Sequence, residues 1–375
     1  MRAATFLCPY CFEVNELRVV SYFCKRCNAQ KSAGKKGLSA LHRAGVKAAI
    51  LCPDCGTSAT GTCPNTSCRH KLPEGTLTGE NSIISIVGGR AAGKTHFVGV
   101  LLYELTRRIA ADFRASFVGF DESHKIWVRE FGSLYQTLQA LELTTTGAHK
   151  DPLIYELVVP GRFGNRMYTF AFFDTAGENF NDEDQMSVLN KYIYKSAGII
   201  FLFDPLQIAS VAARVPSDVV AGSTAGAAGG MRTSNSEILA HVANLIWNYR
   251  GQKRGQRIST PTAVVFTKLD AIVDILPAGA IVLDNSPHVG EVMLNDIHNV
   301  SSEIESMLRE WDESAFVQQV ENTFPEHAYF AVSALGIGNH PDAMANRAVK
   351  KPQPHRIEDP FLWMLTRTGV LKGRK

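Results

Sequence analysis

Residues 82–95 read SIISIVGGRAAGKT, and their order decides the architecture of most of the chain. Ser82–Val87 is a short β-rich run, and Gly88–Thr95 fits GxxxxGK[ST]. Phe97, Val98, Leu101, Leu102, Leu105 and Ile109 then recur at helical spacing. Strand, glycine-rich loop and helix in that order turn the loop N–H groups inward, where they can surround a phosphate facing the positive end of the helix. Gly88 and Gly93 permit the tight backbone, Lys94 can place its ammonium between two phosphates, and Thr95 carries a hydroxyl suited to Mg²⁺. A glycine turn that merely caps a helix needs no strand before it, so the context argues for a phosphate-binding loop.

Such a loop does not choose the base. Residues 263–270 read AVVFTKLD, an apolar strand running into a polar turn that opens at Thr267. The Asp270 carboxylate can accept two hydrogen bonds, from the ring N–H and the exocyclic amine of guanine. Adenine lacks both donors in that arrangement. A site whose carboxylate would be left unpaired can reject the wrong base by on the order of 10⁴. Lys268 would lay its stem along the base, and Ser333, Ala334 and Leu335, after the apolar run Ala328–Val332, offer the Ala334 N–H to the guanine oxygen. A further motif, DTAG at Asp174–Gly177, follows the apolar stretch MYTFAFF.

The set GGRAAGKT, DTAG, TKLD and SAL resembles the Ras-like branch of the TRAFAC class of P-loop GTPases over roughly residues 81–375. Pro152–Pro160 and Arg166–Asp174 read as strands joined by a short turn, hence antiparallel, like the second strand of Ras-like sheets. The layout also resembles bacterial zinc-ribbon and double-GTPase type proteins of that class. The resemblance implies a three-layer α/β fold with a mixed, mostly parallel sheet containing one antiparallel strand. It would occupy residues 76–375, with insertions at about 115–147, 206–234 and 275–325.

It further implies GTP or GDP held by Gly88, Gly89, Arg90, Ala91, Ala92, Gly93, Lys94, Thr95 and His96 at the phosphates, and by Thr267, Lys268, Asp270, Ser333, Ala334 and Leu335 at the base. Mg²⁺ would be held by Thr95, by Asp174 through water, and by one of Thr144, Thr145 and Thr146; alignment on Thr-Thr-Gly picks Thr145. Lys94, Thr145, Gly177 and Glu178 then stand nearest the transferred phosphoryl group, Gly177 through its N–H. Two departures bear on rate. Glu178 stands where Ras-like enzymes carry the glutamine that orients water, and Glu142 stands where heterotrimeric G-protein α-subunits, which this Thr-Thr-Gly resembles, carry an arginine three residues before the threonine. An arginine finger is worth about 10³–10⁵ in rate, so unaided hydrolysis is expected to be slow.

All eight cysteines fall in the first seventy residues. Cys8 and Cys11, then Cys24 and Cys27, form CxxC knuckles; Cys52 and Cys55, then Cys63 and Cys68, form a second set with a wider last gap. Such knuckles each offer two thiolates to a tetrahedral zinc ion, so residues 1–75 read as a tandem zinc-ribbon module with two Zn²⁺. The sets pair sequentially, or interleave by joining the first knuckle to the third and the second to the fourth. His70 could replace Cys68, or stand beside it facing solvent. A single apolar core of this size supplies about 3–5 kcal/mol, against about 10–16 kcal/mol for a structural zinc. Metal removal is therefore expected to unfold residues 1–73 and to spare the rest.

Disulfides are the competing reading; the absence of a long apolar core in residues 1–12 points away from a signal peptide and towards a reduced, cytoplasmic setting. No apolar run is long enough to span a bilayer. Residues 1–75 carry eleven Lys and Arg against four Asp and Glu. That bias admits nucleic acid as a partner, yet the charges are scattered and ribbons serve protein contacts as often, so a protein effector or activator is also expected. Helical spacing predicts helices over 121–141, 235–249, 295–320 and 358–371, while 211–230, rich in Ala, Gly and Ser, reads as a surface insertion.

Overall fold

In the computed structural model, which describes residues 5–17, 20–32, 52, 54–57, 59–77, 83–89, 91–139, 141, 151–161, 165–173, 183–217, 219–220, 234–337 and 350–374, the cysteine-rich segment forms two small antiparallel sheets. β1 (Thr5–Leu7) pairs with β2 (Val14–Glu16), and β3 (Ser21–Cys24) lies between β4 (Ala29–Ser32) and β5 (Thr60–Thr62).

The larger unit begins with β6 (Ile84–Gly88) and α1 (Lys94–Glu104), which continues through a π-helical turn at Leu105–Ile109 to Asp112. There follow β7 (Ser116–Gly119), α2 (Ser123–Phe131), β8 (Leu153–Val159), β9 (Arg166–Phe172), α3 (Glu183–Tyr194) and β10 (Gly198–Phe203). The chain goes on through α4 (Asn235–Arg250), β11 (Thr262–Phe266), β12 (Val292–Met293), α5 (Leu294–Glu310) and α6 (Ser314–Thr323). It closes with β13 (His327–Ala331), α7 (Asp359–Arg367) and β14 (Gly373–Arg374).

β13, β11, β10 and β6 are neighbours in that order and all parallel. β8 runs antiparallel to both β7 and β9, and β9 lies alongside β6. The expected hairpin is β8–β9, with Leu153 opposite Phe172. β7 has no counterpart in the sequence reading, because four residues with two glycines or serines carry too little β pattern. Strands covered on both faces explain continuous apolar runs such as GIIFLF in β10. Ile84, Ile86, Ile200, Leu202 and Val265 join one core with Phe97, Trp127 and Phe361 from α1, α2 and α7. Val87, Ile199, Phe201, Val264 and Phe266 join the other with Tyr192, Leu239, Ile304 and Phe316 from α3, α4, α5 and α6.

Two expectations change. Residues 294–323, read as part of an insertion, form helices between β11 and β13, and parallel neighbours require such a crossover. The cysteine-rich segment is not a detached unit: Phe12 belongs to the core beneath α3, the Gly75 N–H donates to Glu156 and the Thr76 hydroxyl to Thr169. Loss of a metal held by these cysteines would therefore be felt beyond residue 73.

The sequence reading of 121–141 as a helix packed on the core is tested at Phe131, which is fully buried and contacts Trp127, whose Nε1–H donates to Gly99 O at 2.9 Å. Phe131→Ala should lower unfolding stability by about 3–5 kcal/mol in urea titration; a loss under ~1 kcal/mol would mean that α2 is peripheral.

Candidate functional site

The glycine-rich loop leaves β6 at Gly88, where a Cβ would clash with the Leu202 carbonyl oxygen of β10. Only glycine allows the two strands that approach. Gly93 at the start of α1 is left-handed (φ 77), and Ala91 shares that conformation at φ 60. Lys94 is buried and its Nζ donates to the carbonyls of Gly88 and Gly89, both at 2.7 Å. The ammonium is thus folded back over the loop, where a phosphate could take over its hydrogen bonds. Ala92 N donates to Gly89 O, and His96 Nε2 accepts from Leu141 N at 3.2 Å, which ties the first turn of α1 to Leu141.

The loop bearing Thr267–Asp270 is built on the neighbouring strand ends. Thr267 donates its N–H and hydroxyl to Phe203 O, and a Cβ on Gly93 would lie 3.7 Å from Thr267, which brings the two motifs together. Lys268 is left-handed at φ 53, and its Nζ lies 2.6 Å from Oδ2 of Asp204, a carboxylate 1% exposed. Asp204 also accepts from Leu206 N and so caps the turn after β10. The Ser333 hydroxyl donates to Asp270 Oδ1 and accepts from Gly336 N, while Leu269 N donates to Val332 O. Ser333 therefore stands beside Asp270, at the start of the turn that continues into Ala334 and Leu335.

This corner is held from behind by residues that no motif marks. Ser333 and His355 exchange both backbone hydrogen bonds, and His355 Nε2 lies 2.8 Å from Val282 O. Arg356, nearly fully buried, reaches Asp359 at 2.7 Å and Asp296 at 2.8 Å, with His288 Nε2 close to both carboxylates. The guanidinium already spans the two acids, so the cluster is an ion-pair latch on segment 353–359 rather than a metal centre. Asp204, His355 and Arg356 are far in sequence from the motifs they support; an acidic residue just after a buried strand was the single available signal. Arg90, Thr144, Thr145, Thr146, Asp174, Gly177, Glu178 and Glu142 lie outside the described residues.

The cysteines gather as Cys8, Cys11, Cys63 and Cys68, and as Cys24, Cys27, Cys52 and Cys55. The first knuckle joins the fourth and the second joins the third, a nested arrangement that replaces both the sequential and the interleaved pairing. The cause is strand direction. β3 runs antiparallel to β5, with Ser21 opposite Thr62, so Cys24 meets the chain preceding β5 while Cys63 meets the chain preceding β3. All eight thiols are free, with sulfur pairs at 3.8 Å (Cys8–Cys68, Cys11–Cys63), 3.5 Å (Cys24–Cys55) and 3.9 Å (Cys27–Cys52). Four thiolates ~2.3 Å from a tetrahedral zinc lie ~3.8 Å apart, so both sets fit that ion and neither fits a disulfide. The Thr57 hydroxyl pulls Cys24 down to about 6, toward the thiolate a metal needs. His70 lies outside the four-sulfur set, with Nδ1 3.4 Å from Cys68 and Nε2 3.3 Å from Asp151. The hydrogen bond to Asp151, then that to Cys68, pushes its imidazole up to about 10.

The sequence model of a family described as Double-GTPase 2 matches residues 82–333. A curated protein of Mycolicibacterium smegmatis described as "Putative ESX-1 scaffolding and assembly protein SaeC" is 24% identical over 343 residues, which cover 84% of this chain and 81% of that protein.

Nesting has a direct test in zinc content by mass spectrometry. The double variant Cys8→Ser/Cys63→Ser should lose one of two zinc equivalents, and Cys8→Ser/Cys24→Ser should lose both. Sequential pairing requires the reverse.

Proposed function

The chain belongs to the Double-GTPase 2 family, and from that premise we propose that it is a Mg²⁺-dependent, slowly hydrolysing GTP switch whose zinc-binding module is fused to the core of the switch domain. The observation that carries the reading is the meeting of two loops at one sheet edge: Gly93 lies against Thr267, and Asp270 is oriented by Ser333. Guanine would sit on Asp270 and Ala334, with Lys268 along its face. The phosphates would lie in Gly88–Thr95, the Lys94 ammonium passing from the loop carbonyls to phosphate oxygens. Thr95, Asp174 and Thr145 would hold Mg²⁺, which when bound neutralises charge on the phosphates.

The chain's own contribution to hydrolysis is position and charge. Gly177 offers an N–H to the γ-phosphate, and Lys94 meets its developing negative charge. Glu178 is repelled by that phosphate and, lacking an amide, cannot orient water as a glutamine does. Slow turnover follows, and with it a long-lived GTP state that suits a switch awaiting a protein activator.

A second reading keeps the nucleotide but drops the turnover: an adaptor with a permanently loaded site. Glu178 favours it, and so does the scaffolding and assembly role in the description of the M. smegmatis relative. Both readings make proteins the expected partners, ahead of nucleic acid, for which the scattered basic charge of residues 1–75 is the sole support. Among the described residues no helix is long and apolar enough to cross a membrane. A cytoplasmic setting, where thiols stay reduced, suits the paired cysteine centres.

Single-turnover assays with Mg²⁺ decide between the two. The switch reading expects GTP hydrolysis below ~1 s⁻¹ that Asp174→Ala lowers at least tenfold. Equal rates for the two proteins favour the adaptor, and a wild-type rate well above ~1 s⁻¹ contradicts the role given to Glu178.

A further inference from the structure

The Cys8–Cys11 knuckle carries its own aromatic residue into the switch domain. Phe12 adopts a left-handed backbone at φ 55, with its N–H bonded to Cys8 O at 3.0 Å, the conformation that closes the knuckle. An ordinary side chain adopts it at a cost, which two thiolates on one metal would offset by holding the knuckle shut. The Phe12 ring is fully buried, with its centroid 5.3 Å from that of Tyr192 and 6.4 Å from that of Phe173, the residue preceding Asp174.

Tyr192 continues the line. Its hydroxyl, buried under α3, donates to Ile84 O at 2.9 Å and accepts from Ile86 N at 3.1 Å. Those are residues of β6, the strand that delivers Gly88. A second tether runs beside the first, with Glu13 2.7 Å from Lys191. The hairpin bearing Cys63 and Cys68 is held as well, through His70 to Asp151 and Lys71 to Asp121, both at 3.3 Å. The Cys24 centre, by contrast, packs in its own small cluster with Tyr22 and Ala59.

We propose that Phe12 and Tyr192 are positioning residues for the phosphate loop, so that metal loading of the Cys8–Cys11–Cys63–Cys68 centre and guanine-nucleotide binding strengthen each other. The proposal rests on the nucleotide site described under the proposed function. Linkage is reciprocal: whatever factor zinc adds to nucleotide affinity, nucleotide adds to zinc affinity at this centre.

The test uses the full chain carrying two zinc ions, in equilibrium competition with a chelator of known affinity, with and without saturating GDP and Mg²⁺. One of the two zinc equivalents should be held about 5- to 150-fold more tightly when GDP is bound, and the other should not respond. In Phe12→Ala that factor should fall toward one while zinc and GDP each still bind. Tyr192→Phe keeps the ring but removes both hydrogen bonds to β6, and should reduce the factor even if Phe12→Ala fails to fold. A purely structural role for Phe12 would weaken each ligand separately and leave the factor intact, which overturns the proposal. So does wild-type protein that binds GDP yet holds both zinc ions equally with or without it. Absence of any GDP binding would overturn the proposed nucleotide site and this linkage together.

Discussion

Parallel pairing of β6, β10, β11 and β13 is the constraint from which the rest follows. Its register sets Gly88 opposite Leu202, Phe203 opposite Phe266, and Phe266 opposite Ala331, so four strands end level at one edge. Each end releases one piece of the candidate site: the phosphate loop, Asp204, the Thr267–Asp270 turn and the Ser333–Leu335 turn. In open α/β sheets ligands bind at this carboxyl edge, because adjacent loops diverge there and leave a crevice. The approach of β6 to β10 depends on the missing side chain at Gly88, which ties the glycine of the motif to sheet closure as much as to phosphate.

Polar side chains on such loops need fixed partners if their geometry is to discriminate. Asp204 anchors the lysine, Ser333 orients Asp270, and the backbone exchange between Ser333 and His355 fastens that turn to the segment before α7. Arg356, locked between Asp296 and Asp359, fixes the segment in turn. Breaking such a buried ion pair leaves an uncompensated charge, so damage at Arg356 would reach the base loop through stability rather than contact.

Much of this was legible in the residues. The strand–loop–helix order of Ser82–Ile109, the β8–β9 hairpin and the terminal helix announce themselves through local patterns of apolar residues and glycine. The nested cysteine pairing did not, because CxxC spacing is local while the choice of partner knuckle depends on strand direction between β3 and β5. Residues 294–323 looked like an insertion because a crossover helix and an inserted helix have the same periodicity. Asp204 and His355 were invisible for a similar reason: their partners are remote in sequence, and a lone acid or histidine after an apolar run has many possible uses. The union of the cysteine-rich segment with the larger unit was hidden at Phe12, an aromatic ring next to a knuckle whose chemistry drew attention away from it, and in polar ties such as Glu13 to Lys191 whose partners are remote in sequence.

The proposed function requires that Asp270, at the edge of this sheet, read a guanine base. Calorimetric titration of the full chain with GDP and with ADP, both in Mg²⁺, measures that directly. GDP should bind more tightly than ADP by on the order of 10⁴. Equal affinity for the two, or no heat with GDP from folded protein, would contradict it.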